Sequence, residues 1–245
     1  MPANDLLLLS TSTMHGSTYL AHAQEAMHSF LAGRTKVAFA PYALFDHETY
    51  TARVATGLAP FGVQVTGLHS VTDPIAALAD AEVLFVGGGN SFRLVHALHR
   101  LGLIEPVREA VQAGKLGYMG SSAGSNMACP TMRTTNDMPI VQPVRFSSFG
   151  LIPFQINPHY LDPDPASTHM GETREERIVQ FHEENDVPVL GLREGAWLRR
   201  IDDVLHLEGT TGARLFQRGH APEEIASGTN ISWLLNIKPG FDVPI

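Results

Sequence analysis

One cysteine, Cys129, occurs in 245 residues. That excludes an intramolecular disulfide framework and any cysteine-rich zinc site. Basic residues are also short: 17 Lys and Arg stand against 25 Asp and Glu, a net charge of −8. A binder of nucleic acid or of an anionic membrane would carry its positive charge in a visible patch, so neither partner is expected. Nowhere do about 18 apolar residues run together, which excludes a spanning helix. No positively charged start leads into an apolar run with a cleavage site, and Leu6–Leu9 is too short for a signal peptide. A cytoplasmic location is the expectation. The chain is not short of apolar residues. At 44% hydrophobic and 17% charged it can bury a sizeable core, which excludes wholesale disorder. Histidine, with twelve copies, is abundant.

Short apolar or β-branched runs at Leu6–Leu9, Val37–Ala40, Val63–Leu68, Val83–Val86 and Leu116–Met119 read as strands separated by helical stretches. In one such stretch, Leu94, Ala97, Leu98 and Leu101 fall at the spacing of a single buried face. Strand, helix, strand repeated several times implies an α/β fold, a mainly parallel sheet with helices on both faces. After about residue 187 the runs Val187–Leu190, Ala196–Ile201, Val204–Leu207 and Arg214–Gln217 follow one another through short turns. They predict an antiparallel extension of the sheet, closed by a helix near Asn230–Leu235. No linker, repeat or break in composition interrupts the chain, so residues 1–245 read as one domain.

The sharpest local signal is Gly120-Ser121-Ser122-Ala123-Gly124 between a strand and a helix. G-x-S-x-G in that context is a nucleophile elbow, a strained turn that lifts Ser122 clear of the backbone. The same pentapeptide also serves as a plain Gly/Ser turn, and only the strand before it favours the elbow. The Ala123 N–H would then help to stabilise an oxyanion. Ser125, further into the helix, is expected to bond a backbone carbonyl. The base should lie just beyond a strand end, where parallel sheets gather functional groups. His159, after the apolar run Leu151–Ile156, fits. His169, in a polar loop, is its rival, whereas His22, His28, His96 and His99 lie within predicted helices. Glu194 follows Val187–Leu190 and could hold the imidazole in its productive tautomer. If Glu194 is the acid, the chain order is Ser, His, Glu, which disfavours an α/β-hydrolase. Gly87-Gly88-Gly89-Asn90 is neither a dinucleotide fingerprint nor a Walker loop. Gly88 or Gly89 could supply a second oxyanion donor. Metal-ligand spacing is missing, and no metal or other cofactor is expected.

Gly87–Asn90, Ser122-Ala123-Gly124, the run Cys129–Val141, Ile156-Asn157-Pro158-His159 and Gly171-Glu172-Thr173-Arg174-Glu175 together closely resemble peptidase E, the aspartyl dipeptidases. The resemblance implies a fold like the class I glutamine amidotransferases and metal-free hydrolysis of dipeptides with an N-terminal aspartate. Through it, Ser122 would be the nucleophile, His159 the base and Glu194 the orienting acid, with Asp137 the rival acid. That family usually has tryptophan before the serine. Ser121 stands there, which is expected to alter one wall of the site.

Such a substrate needs a guanidinium for its aspartyl carboxylate and a carboxylate for its ammonium. Arg174, at a helix start set by the T-x-x-E box of Thr173 and Glu176, suits the first; Arg133 is a weaker candidate. Asp137 suits the second, and Asn90 is a further substrate-binding candidate. Cys129 reads as a small buried residue. A homodimer is compatible with these readings. A cyanophycinase-like peptidase of β-aspartyl-arginine and a non-catalytic amidotransferase-like binding protein are the alternatives.

Overall fold

The structure is a computed structural model that describes residues 2–168 and 170–243; His169 lies outside the described residues. Strand β1 (Leu6–Leu9) is followed by α1 (Gln24–Leu31), β2 (Lys36–Ala40), α2 (His47–Leu58), β3 (Gln64–Gly67) and α3 (Pro74–Asp80). Then come β4 (Val83–Val86), α4 (Ser91–Arg100), α5 (Ile104–Gln112), β5 (Gly117–Ser121) and the single-turn α6 (Ala123–Asn126). A long irregular segment leads to β6 (Gln155–Tyr160), α7 (Arg174–Glu184) and β7 (Val189–Arg193). The chain finishes with β8 (Ala196–Ile201), β9 (Val204–Gly209), β10 (Ala213–Phe216) and β11 (Glu223–Ile225).

The main sheet has the order β3-β2-β4-β5-β1-β8-β9. Its first five strands are parallel, and β8 and β9 add to β1 antiparallel. Because both faces are covered, β1 and β4 are apolar at every position rather than at alternate ones. Leu6 and Leu8 enter one core with Leu84, Val86 and Tyr118, while Leu7 and Leu9 enter the other with Val83, Phe85 and Met119. All four leucines of β1 are fully buried, each stabilising the fold by roughly 1.5–3 kcal/mol. Helix starts follow from side-chain caps. Asp46 accepts from Thr49 N–H at the start of α2, and Asp73, with Pro74 at the first helical position, accepts from Ile75 and Ala76. On α4, Leu94 and Leu98 are buried and Ala97 packs beside them, but Leu101 falls at the C-cap and is exposed.

The expected antiparallel C-terminal strands are present, but they divide between two sheets. β8 and β9 extend the main sheet, whereas β7 and β10 belong to a second sheet ordered β11-β10-β7-β6 in which β6 and β7 are parallel. Sequence periodicity cannot separate the two, because residues of both sheets enter one core: Ile156, Leu190 and Leu215 pack with Leu8 and Leu198. The expected closing helix is a 3-10 turn at Ser232–Asn236.

Two buried ion pairs sharing one carboxylate fix where β1 begins. Asp5 is 3% exposed and its carboxylate lies between the guanidiniums of Arg34 and Arg199, whose side chains are 8% and 13% exposed. The two arginines come from opposite ends of the chain. Asp5→Ala, which leaves both cations buried and unpaired, is expected to destabilise the protein by about 3–5 kcal/mol. A chemical-denaturation midpoint measured against wild type checks this.

Candidate active site

The elbow is built by steric need. Ser122 has φ 54 and ψ −114, a conformation outside the broad allowed regions for an L-residue. It is held there by its N–H, which donates to the Leu9 carbonyl at 3.0 Å. The Ser125 hydroxyl donates to the same carbonyl at 2.6 Å, so the expected carbonyl bond is found, but to β1 rather than within its own helix. Gly124 lets the turn close, since a Cβ there would lie 2.0 Å from the Val86 carbonyl oxygen. Gly88 permits the close approach of the neighbouring loop, where a Cβ would stand 2.9 Å from Ser122 Cβ. Among the described residues, the N–H groups of Gly88, Gly89 and Ala123 have no intramolecular acceptor. They are therefore free for an oxygen placed over Ser122.

His159 Nε2 lies 2.7 Å from Ser122 Oγ, and His159 Nδ1 lies 2.6 Å from Glu194 Oε1. The three residues come from the ends of β5, β6 and β7, hence from two different sheets. His159 is inside β6 rather than after it, with φ 53 at an irregularity between Pro158 and Tyr160 in the pairing with β7. This left-handed residue breaks the strand's alternation and re-aims the imidazole. Its N–H donates to Ser10 Oγ at 3.0 Å, and the Ser10 hydroxyl donates to the Leu192 carbonyl at 2.7 Å. Glu194 begins the turn from β7 to β8, where its own carbonyl accepts from the Thr211 hydroxyl. The His159 and Glu194 side chains are 36% and 47% exposed, so water screens the pair until a substrate displaces it.

Arg193 braces this corner from outside. It makes two 2.7 Å hydrogen bonds to Asp162, beyond the end of β6, and bonds of 2.9 and 3.0 Å to Glu224. The bond from Arg193, outweighing the cost of burial, holds the Asp162 carboxyl below its usual range. The two strand ends that carry His159 and Glu194 are thereby tied together. No sequence pattern singled out Ser10 or Arg193, because their value comes from pairing across about 30 residues or more.

A cleft of about 480 Å³ surrounds Ser122 and His159, and its lining includes Ala123, Asp137 and Arg174. Asp137 Oδ2 accepts from the Ser91 N–H at 2.7 Å and from Thr135 Oγ1 at 3.1 Å. It therefore sits at the start of α4, and the His159 Nδ1 contact goes to Glu194. Arg174 is the first residue of α7. The expected capping box is present, with Thr173 Oγ1 accepting from Glu176 N–H and the Glu176 carboxylate from Thr173 N–H. Burial, and then Arg177, pull the Arg174 guanidinium below its ordinary pKa, while Asp137 pulls the other way. Among the described residues Arg174 has no ion-pair partner.

Other candidates are placed elsewhere. The Asn90 amide caps α4 through Arg93 N–H and donates to the Met138 carbonyl, so it shapes the loop bearing Asp137 rather than lining the cleft. Arg133 is paired with Asp242 and Asn185, away from the cleft. Ser121 does not form a wall of the cleft. It is fully buried beside Leu9, and its hydroxyl has no partner among the described residues. Cys129 is buried as expected, its Sγ accepting from Ile156 N–H, and burial pushes the thiol up to about 12. His96 and His99 bond the carbonyls of Gln142 and Ser147, fastening the irregular segment onto α4. Among the described residues, no group of three or more His, Cys, Asp or Glu is placed to hold a metal ion. None of their helices is long and apolar enough to cross a membrane.

Comparison with known proteins adds lineage to this geometry. The chain is 60% identical over 238 residues to Peptidase E of Streptomyces coelicolor, covering 97% of this chain and 98% of that one. It is 46% identical over 235 residues to a Drosophila melanogaster protein described as "Probable alpha-aspartyl dipeptidase", covering 95% and 98%. Among solved structures, a peptidase from an acI-B1 Actinobacterium shares the fold, with TM-score 0.68 at 16% identity over 94% of this chain and 97% of that one. The Peptidase family S51 profile matches residues 6–208, and the chain belongs to that family.

Proposed function

We propose that residues 1–245 form one catalytic unit, a serine peptidase that cleaves dipeptides after an N-terminal aspartate. The observation that carries this reading is the continuous contact from Ser122 Oγ through His159 to Glu194, 2.7 and 2.6 Å, inside a cleft that also holds Arg174 and Asp137. The names of the relatives support the same substrate class.

In the mechanism, His159 takes the Ser122 proton through Nε2 while Glu194 stabilises the resulting imidazolium. Ser122 Oγ attacks the aspartyl carbonyl carbon. The oxyanion meets N–H groups of Ala123 and of Gly88 or Gly89, all fixed in place before the reaction begins. His159 then gives its proton to the leaving amine. Water, activated by the same imidazole, releases aspartate from the acyl-enzyme. Arg174 receives the aspartyl side chain, aided by the positive end of α7, and Asp137 receives the α-ammonium.

Charge opposes the alternative substrate. A β-aspartyl-arginine dipeptide would bring a third guanidinium into a cleft lined by Arg174 and Arg53. A binding module has no need of a nucleophile in contact with a base.

Hydrolysis of Asp-Leu, Ala-Leu and β-Asp-Leu by the purified protein, with a chelator present, tests the reading. Asp-Leu alone should be cleaved, and Ser122→Ala should lower kcat by roughly 10⁴-fold or more. Full activity in that variant would remove Ser122 as the nucleophile. Arg193→Gln should lower kcat about 10-fold with little change in KM, because it loosens the His159–Glu194 corner without touching substrate. A change confined to KM would count against that bracing role.

A further inference from the structure

The cleft carries one more cation than the reaction as described employs. Arg53, on α2, lines it together with Tyr19 and Tyr50. Its guanidinium lies over the Tyr50 ring, 5.5 Å from the centroid, and among the described residues it has no carboxylate in ion-pair contact. The Tyr50 hydroxyl donates to the Gly88 carbonyl at 3.1 Å, so this wall stands next to the loop that faces Ser122. Tyr19 completes it. Its ring packs against Gly57 of α2, where a Cβ would come within 2.8 Å of Tyr19 Cδ1. Its hydroxyl is buried without a hydrogen-bond partner among the described residues. Burial, and then the Tyr50 hydroxyl that it faces, push the Tyr19 phenol far above its ordinary value.

A guanidinium without a carboxylate partner, framed by the Tyr19 and Tyr50 rings, forms a wall suited to an anion. The cleft then offers two unpaired guanidiniums, Arg53 and Arg174, and one carboxylate, Asp137. A free dipeptide with N-terminal aspartate presents the complement: two carboxylates and one ammonium. A longer peptide or a C-terminal amide lacks the second carboxylate at that position. The proposed reaction puts the scissile carbonyl over Ser122 with its oxygen toward Gly88. The leaving residue's own carboxyl then lies one residue further on, about 3.8 Å in Cα spacing.

We propose that Arg53, with Tyr19 beside it, binds the C-terminal carboxylate of the substrate, so that the cleft reads a free dipeptide from end to end. This rests on the reading of the site as an aspartyl peptidase. It adds a second anion subsite, separate from the one at Arg174.

Steady-state kinetics on four substrates test it: Asp-Leu, Asp-Leu-amide, Asp-Leu-Leu and Asn-Leu, with wild type, Arg53→Met and Arg174→Met. In wild type, amidation should lower kcat/KM roughly 10- to 100-fold, the range for losing a charged hydrogen bond, and the tripeptide should fare no better. Arg53→Met should lose the same factor on Asp-Leu, change little on the amide, and keep the preference for Asp-Leu over Asn-Leu. Arg174→Met should show the reverse pattern, losing the Asp over Asn preference while still favouring the free acid over the amide. Equal cleavage of acid and amide by wild type would overturn the subsite. So would an Arg53→Met variant that slows both alike or that loses the Asp over Asn preference. These outcomes leave Ser122-dependent cleavage of Asp-Leu intact. Failure of wild type to cleave Asp-Leu would instead overturn the aspartyl-peptidase reading itself.

Discussion

The Ser10 hydroxyl joins the parts of this protein that the site depends on. It accepts from the His159 N–H and donates to the Leu192 carbonyl, while Leu9, one residue earlier, accepts from Ser122 N–H and the Ser125 hydroxyl. The end of β1 therefore touches the turn at Ser122, the strand bearing His159 and the strand leading to Glu194. Each of those bonds is worth about 1 kcal/mol on its own. Their effect is geometric, because they bring elements of two sheets to a common corner and hold the 2.6–2.7 Å contacts there. β1 can serve as that fixed reference because its leucines are buried on both faces and its entry is pinned by Asp5 between Arg34 and Arg199.

Backbone strain falls at the same corner, as it also does at Asn4, Leu20 and Asp202 elsewhere in the fold. Ser122 and His159 both have φ above 50°, at a cost of order 1–3 kcal/mol each. The Leu9 carbonyl and the tight packing of Gly88 and Gly124 hold Ser122, and the Ser10 hydroxyl holds His159. The strain sits in the two residues that exchange a proton in the proposed mechanism, on the rims of rigid strands rather than on mobile loops. The cleft beside them is asymmetric in its chemistry. Arg174 enters from the start of α7 and Arg53 from α2, while Asp137 is held at the start of α4. Two arginines from two helices and a carboxylate held against a third thus line the cleft beside Ser122, which is how an acidic chain comes to offer a cationic cleft.

Much of this was legible in the residues. The four-leucine run, the G-x-S-x-G turn and the T-x-x-E box are local signals, and each stands for a local cause: burial on both faces, a turn closed by a missing Cβ, and reciprocal capping. Their structural counterparts coincide with them in sequence. Other features were misplaced for want of partners. Leu101 fits the apolar stripe of α4 yet lies past its last turn, and Asn90 has a binding residue's chemistry but is consumed by its helix cap. Ser121 stands next to Ser122 in sequence but faces the opposite way, into the core, because successive strand residues alternate between faces.

By itself the sequence determined the α/β class, the order of the first five strands, and the residue types able to do acyl transfer, because these depend on periodicity and on groups adjacent in the chain. Tertiary structure alone decided the rest. It placed β7 in a second sheet beside β6, and so put Glu194 rather than Asp137 against His159. It turned His159 through a left-handed kink toward Ser122, and it brought Arg53, which no motif distinguishes, into the cleft with Arg174. The physical reason is the same in each case. Contacts between residues tens of positions apart depend on how strand ends and helix starts converge, and that convergence is a property of the packed core as a whole.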